Sequence, residues 1–359
     1  MQLARKIFLT IFSYVYAGGI AMRNFLFDNN IFRAHDVGIP VISVGNVTVG
    51  GTGKTPIVEM LLRYFLAQKK NVVVVTRGYK RSTKGMHVVS DGAGNISSVS
   101  ASGDEPVQIA RKFPSIAVIA DEKRVRGCTY ARNYFRAEVV LLDDGFQHRA
   151  CSRDLDIVVI DASRALEGQS LLPLGRLREP LRNLRRADVV LLSKCADANQ
   201  AASAQNFVAP FTQAPVFATR FIPGALHAFP HRQSVDTATI RDKRIIAFCG
   251  IGSPESFEHT LQQMGCVVAS FISFADHHAY SATDIEAVLA QYREHEAAAI
   301  LTTEKDAMRL ETHTEKFRDI SLLYPVMSAT ILADAEKFYH HLEERISQSS
   351  RTSESISSP

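Results

Sequence analysis

The segment Val41-Ile-Ser-Val-Gly-Asn-Val-Thr-Val-Gly-Gly-Thr-Gly-Lys-Thr-Pro56 constrains the fold more than any other part of the chain. A short apolar run leads into a glycine-rich turn, then Lys-Thr, then Ile57, Leu61 and Leu62 at helical spacing. This is the order strand, phosphate-binding loop, helix. Gly50, Gly51 and Gly53 carry no Cβ, so the backbone there can turn sharply and aim N–H groups at phosphate oxygens. The positive end of the following helix adds to that field. Lys54 is expected to reach the β- and γ-phosphates, and the Thr55 hydroxyl to hold Mg²⁺. Thr48 stands where the usual loop pattern has a glycine. Thr48, Val49, Gly50, Gly51, Thr52, Gly53, Lys54 and Thr55 form the expected nucleotide-binding segment.

The same grammar recurs downstream. Val72–Val75 is a continuous apolar run that reads as a buried parallel strand, giving a βαβ unit of an open α/β sheet. Ligands of such sheets sit beyond the carboxyl ends of the strands. Arg77, Gly78, Tyr79 and Arg81 leave the second strand at that edge, either as a contact for an anionic substrate or as a solvated basic loop. The Gly/Ser-rich stretch from Ser90 to Ser102 is expected to be a mobile loop. Asp104, in Gly103-Asp-Glu-Pro106, reads either as a helix N-cap or as a carboxylate that takes a proton from an acceptor hydroxyl. Asp143 and Asp144 close an apolar strand, as in a Walker B segment, where a carboxylate can hold Mg²⁺ near Thr55. His148 follows as a structural histidine or a phosphate or substrate contact. Arg176, Arg178 and Glu179 lie in a proline-bounded loop that opens a basic run through Arg186. The strand ending at Lys194 resembles the base-reading segment of GTP-binding proteins, but Asn-Lys-x-Asp is absent, so guanine selectivity is unsupported.

After Pro215 the pattern changes. Val216–Phe221 and Ala225–Phe229 flank Ile222-Pro-Gly224 and read as a two-stranded connector. Arg244–Cys249 then opens a second strand-turn-helix unit without a lysine at the turn. Asp276, His277 and His278 end a later strand, where consecutive side chains point opposite ways, so a two-histidine metal site is a poor reading. Lys305 is either a substrate or nucleotide contact or the partner of Glu304 or Asp306. From Ser347 the chain is mostly Ser, Thr and Pro and is expected to be disordered.

The net charge of +4 is too small to argue for a nucleic-acid partner. Cys128, Cys151, Cys195, Cys249 and Cys266 are scattered without a C-x-x-C pair, which argues against a disulfide framework or zinc site and fits a reducing compartment. At the amino terminus, Leu3, Ile7, Phe8, Ile11, Phe12 and Val15 form an apolar stripe at helical spacing. The uncharged run from Ile7 to Met22 falls short of the ~20 residues a membrane-crossing helix needs. A cleaved signal peptide, a buried first helix and an amphipathic helix in the membrane surface all fit. The last best explains the aromatic content and the flanking Arg5, Lys6 and Arg23.

Taken as an ordered set, these segments closely resemble the tetraacyldisaccharide 4′-kinase family of lipid A biosynthesis, from the first helix to about residue 340. The carriers are Ser43-Val-Gly-Asn46, Gly50-Gly-Thr-Gly-Lys-Thr-Pro56, Thr76-Arg-Gly-Tyr79, Gly103-Asp-Glu-Pro106, Leu142-Asp-Asp-Gly-Phe-Gln-His148, Leu177-Arg-Glu-Pro180, Phe274-Ala-Asp-His277 and Thr303-Glu-Lys-Asp306. Thr48 belongs to that family's loop pattern. The resemblance implies transfer of the ATP γ-phosphate to the 4′-hydroxyl of tetraacyldisaccharide 1-phosphate, giving lipid IVA, by an enzyme attached peripherally to the cytoplasmic face of the inner membrane. It implies ATP as substrate and Mg²⁺ as cofactor. Carried over by position, it makes Asp104 the base and His277 its partner, with Lys54 on the phosphates. Thr55, Asp143, Asp144 and Glu179 would organise the metal region, and Asn46, Arg77, Tyr79, His148, Arg176 and Lys305 would contact substrate.

The expected architecture is a P-loop kinase-like α/β fold. A mostly parallel sheet would carry helices on both faces, with a smaller carboxyl-terminal α/β domain joined by a two-stranded linker. The expected divisions are a membrane-surface helix over 1–25, the nucleotide-binding domain over 26–215, the smaller domain over 216–346 and a tail over 347–359. The lipid acceptor is the expected partner, with no nucleic acid and no obligate protein. Two other classes stay open: a nucleotide-dependent switch or chaperone ATPase, and a kinase for a soluble small molecule.

Overall fold

The computed structural model describes residues 2–164 and 168–356. The chain forms two compact units, Met1–Phe221 with Ala329–Pro359, and Ile222–Ser328.

The first unit opens with α1 (Gln2–Asp28) and β1 (Val41–Gly45), followed by the loop and α2 (Lys54–Ala67). Then come β2 (Val72–Thr76), β3 (His87–Asp91), α3 (Val99–Ser102), α4 (Asp104–Lys112), β4 (Ala117–Ala120), α5 (Arg124–Phe135), β5 (Val139–Asp143), β6 (Leu155–Asp161), β7 (Val189–Ser193) and α6 (Ala198–Val208). The last strand, β8 (Val216–Ala228), carries the chain into the second unit. The strand order is β8-β7-β6-β1-β5-β2-β4-β3, parallel except for β3, which runs antiparallel to β4. Two strands met later in the chain, β5 and β6, flank β1. The loop therefore leaves the sheet at its centre, with the end of β5 beside it.

Strand periodicity sends alternate residues to opposite faces. Ile42, Val72, Val74 and Leu141 pack with α2 and α4 through Ile57, Leu61 and Ile109. Val41, Val73, Val75 and Val140 pack on the other face with Cys128 and Ala131 of α5. Helices thus cover both faces, which is why these strands read as unbroken apolar runs.

The second unit contains β9 (Gln233–Val235), β10 (Arg244–Cys249), α7 (Pro254–Gln263), β11 (Val267–Ser273), α8 (Ala282–Glu294), β12 (Ala299–Leu301) and α9 (Glu304–Arg309). Parallel pairing joins β11 to β10, β10 to β12, and β12 to β13 (Leu322–Ile331), the strand that returns the chain to the first unit. The final helix is α10 (Ala335–Ile356).

Four expectations are corrected. Val216–Ala228 is one strand rather than a hairpin, because Pro223 and Gly224 pass through it without a turn; the two linking strands are β8 and β13. The end of β13 and α10 belong to the first unit, since Phe338 and Leu342 bury in the core that contains Ile42, Phe65 and Phe217. The stretch expected to be a loop from Ser90 to Ser102 holds the end of β3 and all of α3, whose first turn is capped by the Ser98 side chain on the Ala101 N–H. The stretch from Ser347, expected to be disordered, continues α10 as far as Ile356, as a helix already nucleated by a packed segment gains one hydrogen bond per added residue. Residues 357–359 of the expected tail lie outside the described residues.

Candidate active site

The phosphate-binding loop joins β1 to α2. Gly53 is the N-cap of α2 and makes no side-chain cap, so the first-turn N–H groups of the helix lack a capping side chain. Its φ of 86° lies in the left-handed region, and a Cβ there would stand 2.2 Å from the Phe221 ring, so glycine is required twice over. Arg176 brackets the loop from the other side: Val49 N–H donates to its carbonyl at 2.8 Å, and its Nη2 donates to the Val49 carbonyl at 3.0 Å. Asn46, expected to contact substrate, is instead fully buried, with its amide donating to Thr52 Oγ1 at 2.9 Å. It ties the loop together, while its buried Oδ1 has no hydrogen-bond partner among the described residues.

Sheet register delivers the acidic pair. Val44 of β1 lies opposite Asp143 of β5, so Asp143 and Asp144 emerge beside the loop. Asp144 takes a left-handed φ of 55°. Lys54 Nζ lies 3.3 Å from its Oδ1, and Arg178 Nη1 donates to both of its oxygens at 2.8 Å. Burial opposes ionisation of Asp144, but Lys54 and Arg178 outweigh it and hold the carboxyl well below the usual carboxylate range. Asp143 behaves oppositely. Burial, reinforced by Glu105, pushes it up to about 6, against the pull of Lys54. Its Oδ2 accepts from Thr76 Oγ1 at 3.1 Å, while its buried Oδ1 has no hydrogen-bond partner among the described residues.

The base candidate comes from a close approach of two backbones. Gly103, with φ 92°, is the N-cap of α4, and a Cβ on it would lie 2.7 Å from the Tyr79 carbonyl. Asp104 is therefore the first helical residue rather than the cap, buried beside the Arg77-Gly-Tyr79 turn at the end of β2. Its Oδ1 accepts the Glu105 N–H at 3.1 Å. Arg77 and Tyr79 are exposed at that edge. Burial, with the charge of Arg124 next in size, lowers His148 to about 4, so its imidazole is neutral.

Glu179 does not join this group. It is fully buried, with Arg23 on Oε1 at 2.9 Å, and Asn183 at 2.7 Å and Arg186 at 2.6 Å on Oε2. The Asn24 amide adds a 3.4 Å contact. A carboxylate already neutralised and hydrogen-bonded in this way anchors α1, which corrects its expected metal role. Ser13 Oγ and Tyr16 OH of α1 donate to the carbonyls of Leu171 and Arg178 at 3.0 and 2.9 Å, on the same segment. Ser13, Tyr16, Arg23 and Asn24 of α1 thus face protein while Ile7, Phe8, Ile11, Phe12, Val15 and Phe25 are exposed. No helix among the described residues is long and apolar enough to cross a membrane.

His277 and Lys305 lie in the second unit. His277 has φ 58°, and Arg309 Nη2 donates to its Nδ1 at 3.0 Å, which leaves the proton of a neutral ring on Nε2. Lys305 sits in the first turn of α9.

Sequence reasoning missed Arg124. It is buried, with Nη1 donating to the Asp121 carbonyl, while Nε and Nη2 have no hydrogen-bond partner among the described residues. Burial lowers its pKa, and Asp143 and Asp144 oppose that shift. A signal was present: cations at the start of a helix work against its dipole, so Lys123-Arg124 at the head of α5 predicts a nearby anion. Among the described residues, no group of three or more His, Cys, Asp and Glu side chains could hold a metal ion. A metal here would depend on ligand phosphates as well as on Asp143 and Thr55.

A family model described as tetraacyldisaccharide-1-P 4′-kinase matches residues 5–347. The tetraacyldisaccharide 4′-kinase of Chlorobaculum tepidum is 39% identical over 84% of this chain and 85% of its own. That of Syntrophus aciditrophicus is 37% identical over 93% and 91%. A crystal structure of LpxK from Aquifex aeolicus in complex with ATP superposes with a TM-score of 0.76 at 33% identity, covering 95% of this chain and 99% of that one.

Proposed function

The chain belongs to the tetraacyldisaccharide-1-phosphate 4′-kinase family, and from that premise we propose how its residues divide the reaction. It is an ATP-dependent kinase of lipid A biosynthesis that phosphorylates the 4′ position of its lipid substrate. The observation that carries the reading is the uncapped start of α2 with Lys54 beside it, an anion site made of backbone N–H groups and one ammonium.

In the proposed reaction Thr48 to Thr55 cradle the triphosphate. The acceptor 4′-hydroxyl oxygen attacks the γ-phosphorus, and its bond to the bridging oxygen breaks, releasing ADP. Asp104 accepts the hydroxyl proton, and His277 is the residue that the family resemblance assigns as its partner. Lys54 and Arg124 offset the charge that spreads over the transferred group. Arg77, Tyr79 and Lys305 contact the acceptor, with His148 and Arg176 at the loop side. Asp143 and Thr55 fit a divalent cation, given the partnerless Oδ1 of Asp143 and its reluctance to ionise without one. Asp144 lies next to them. Mg²⁺ held there would neutralise phosphate charge and orient the β- and γ-oxygens.

The exposed apolar side of α1 supports peripheral attachment to the cytoplasmic face of the inner membrane, where a lipid acceptor resides. The decisive assay combines γ-labelled ATP with tetraacyldisaccharide 1-phosphate. Label in the lipid is the expected result; release of free phosphate alone would replace the kinase with a switch ATPase.

A further inference from the structure

Ser193 and Lys194 stand at the carboxyl end of β7, and the reaction above leaves them without a task. Both side chains reach back to the phosphate-binding loop. Lys194 Nζ donates to the Gly51 carbonyl at 2.7 Å and to Asp161 Oδ2 at 2.7 Å. Ser193 Oγ donates to the Thr52 carbonyl at 2.6 Å, with a longer 3.2 Å contact to Ile160 O. One dipeptide therefore holds two successive loop carbonyls.

The peptide group is planar and trans, so a carbonyl turned toward β7 turns the N–H of the same peptide to the opposite side. For Thr52 that is the Gly53 N–H, which adjoins the uncapped first turn of α2. Two features set this contact apart from an ordinary surface pair. Lys194 has φ 56°, a left-handed conformation that long side chains seldom take. Its side chain is also only 16% exposed, and that of Asp161 6%, although a lysine stem could carry its ammonium into water. Parallel register puts Asp161 directly opposite Ser193, so the anchor and the dipeptide arrive together at the sheet edge.

We propose that Lys194 and Ser193 are positioning residues for the nucleotide. They hold the Gly51 and Thr52 carbonyls away from the phosphates, so that the loop is formed before ATP arrives, and Asp161 keeps the Lys194 ammonium in place. The role deepens the reading of Thr48 to Thr55 as the ATP loop and rests on it. Pre-organisation of this kind affects nucleotide binding and leaves acceptor binding alone.

The test uses the full-length enzyme. A non-hydrolysable ATP analogue is titrated into the parent and into Lys194→Met, Lys194→Arg, Ser193→Ala and Asp161→Asn, and KM is measured separately for ATP and for the lipid. Lys194→Met is expected to raise the analogue Kd and the ATP KM about tenfold, with the lipid KM within about twofold. Ser193→Ala and Asp161→Asn are expected to raise them about threefold, and Lys194→Arg to recover most of the loss. A structural role alone would lower the unfolding midpoint without separating the two KM values. Unchanged nucleotide affinity in Lys194→Met and Ser193→Ala overturns the proposal, as does a parallel rise in both KM values. If Lys194→Met does not fold, Ser193→Ala and Asp161→Asn decide by the same criteria. A parent that fails to bind the analogue overturns the loop reading as well, whereas a parent that binds like its variants overturns only the positioning role.

Discussion

Lys54 Nζ lies 3.3 Å from Asp144 Oδ1, and the same carboxylate receives Arg178. The cation at the mouth of α2 is therefore held by an acid from the neighbouring strand before any phosphate is near. That arrangement keeps a long, flexible ammonium oriented at the loop, and it gives the site an internal counter-charge that a triphosphate must displace or share.

Lys54→Met is expected to lower turnover by about 10²–10³, the loss typical of removing one preorganised charge-stabilising group. Because the pair is only partly buried, the unfolding midpoint should move little. Transfer of label from γ-labelled ATP to lipid, set beside a thermal melt, measures both; near-parental turnover would remove Lys54 from the reaction.

Asp104→Ala should lower turnover by about 10²–10⁴, the range for loss of a general base, with ATP affinity within about twofold of the parent. The comparison with Asp104→Asn separates charge from space. If either variant retains full turnover, the proton acceptor is another group.

The raised pKa of Asp143 makes a signed statement about pH. The group is neutral longer in the folded chain, about 6 against an ordinary carboxyl value of 3.8, so the native state binds more protons between those values. Its contribution is therefore destabilising above about pH 6 and vanishes as pH falls below the unfolded value, a swing of about 3 kcal/mol. His148 opposes it, because a depressed imidazole makes the unfolded state the better proton binder between about 4 and 6.5. The difference between parent and Asp143→Asn isolates the acid: without metal or nucleotide, Asn should be the more stable above pH 6 and the gap should close toward pH 4. Denaturant unfolding at a series of pH values reads it directly, and a flat difference curve contradicts the assignment.

Glu179→Gln should act on stability rather than on metal. Removing the charge leaves Arg23 and Arg186 around a neutral amide at a fully buried position, a loss of about 3–5 kcal/mol for a broken buried pair. The Mg²⁺ dependence of the residual activity should match the parent. A shifted metal requirement with normal stability would restore the role first expected for this residue.

Placing an acid at two exposed apolar positions of α1, as in Phe8→Glu with Val15→Glu, should weaken binding to anionic vesicles at least about tenfold. Both side chains are exposed, and the bonds that dock α1 come from Ser13, Tyr16, Arg23 and Asn24, so transfer to detergent-dispersed lipid should persist. Vesicle flotation and the dispersed-substrate assay together distinguish a membrane contact from a general loss of folding.

The phosphate-binding loop, the buried parallel strands and the acidic pair at the end of β5 were all legible along the chain. They depend on near neighbours: glycines that permit a turn, apolar runs long enough for a doubly covered strand, a carboxylate at a strand's last residue. The family resemblance could be read for the same reason, as an ordered set of short segments. Other features were decided where distant segments meet. Glu179 looked like a metal ligand until α1 was seen to bring Arg23 and Asn24 to it. Asn46 reads as a substrate contact, and only the fold shows that its amide also braces Thr52 within the loop. Arg124 is not singled out by the sequence and Lys194 reads only against the guanine-reading motif, because a basic residue after a strand is common, and what distinguishes these two is burial and the identity of their partners. Charge, pKa and the direction of a carbonyl are properties of surroundings, and the surroundings of β5, β7 and the loop are assembled by the sheet from residues far apart in the chain, such as Val44 with Asp143 and Thr52 with Ser193.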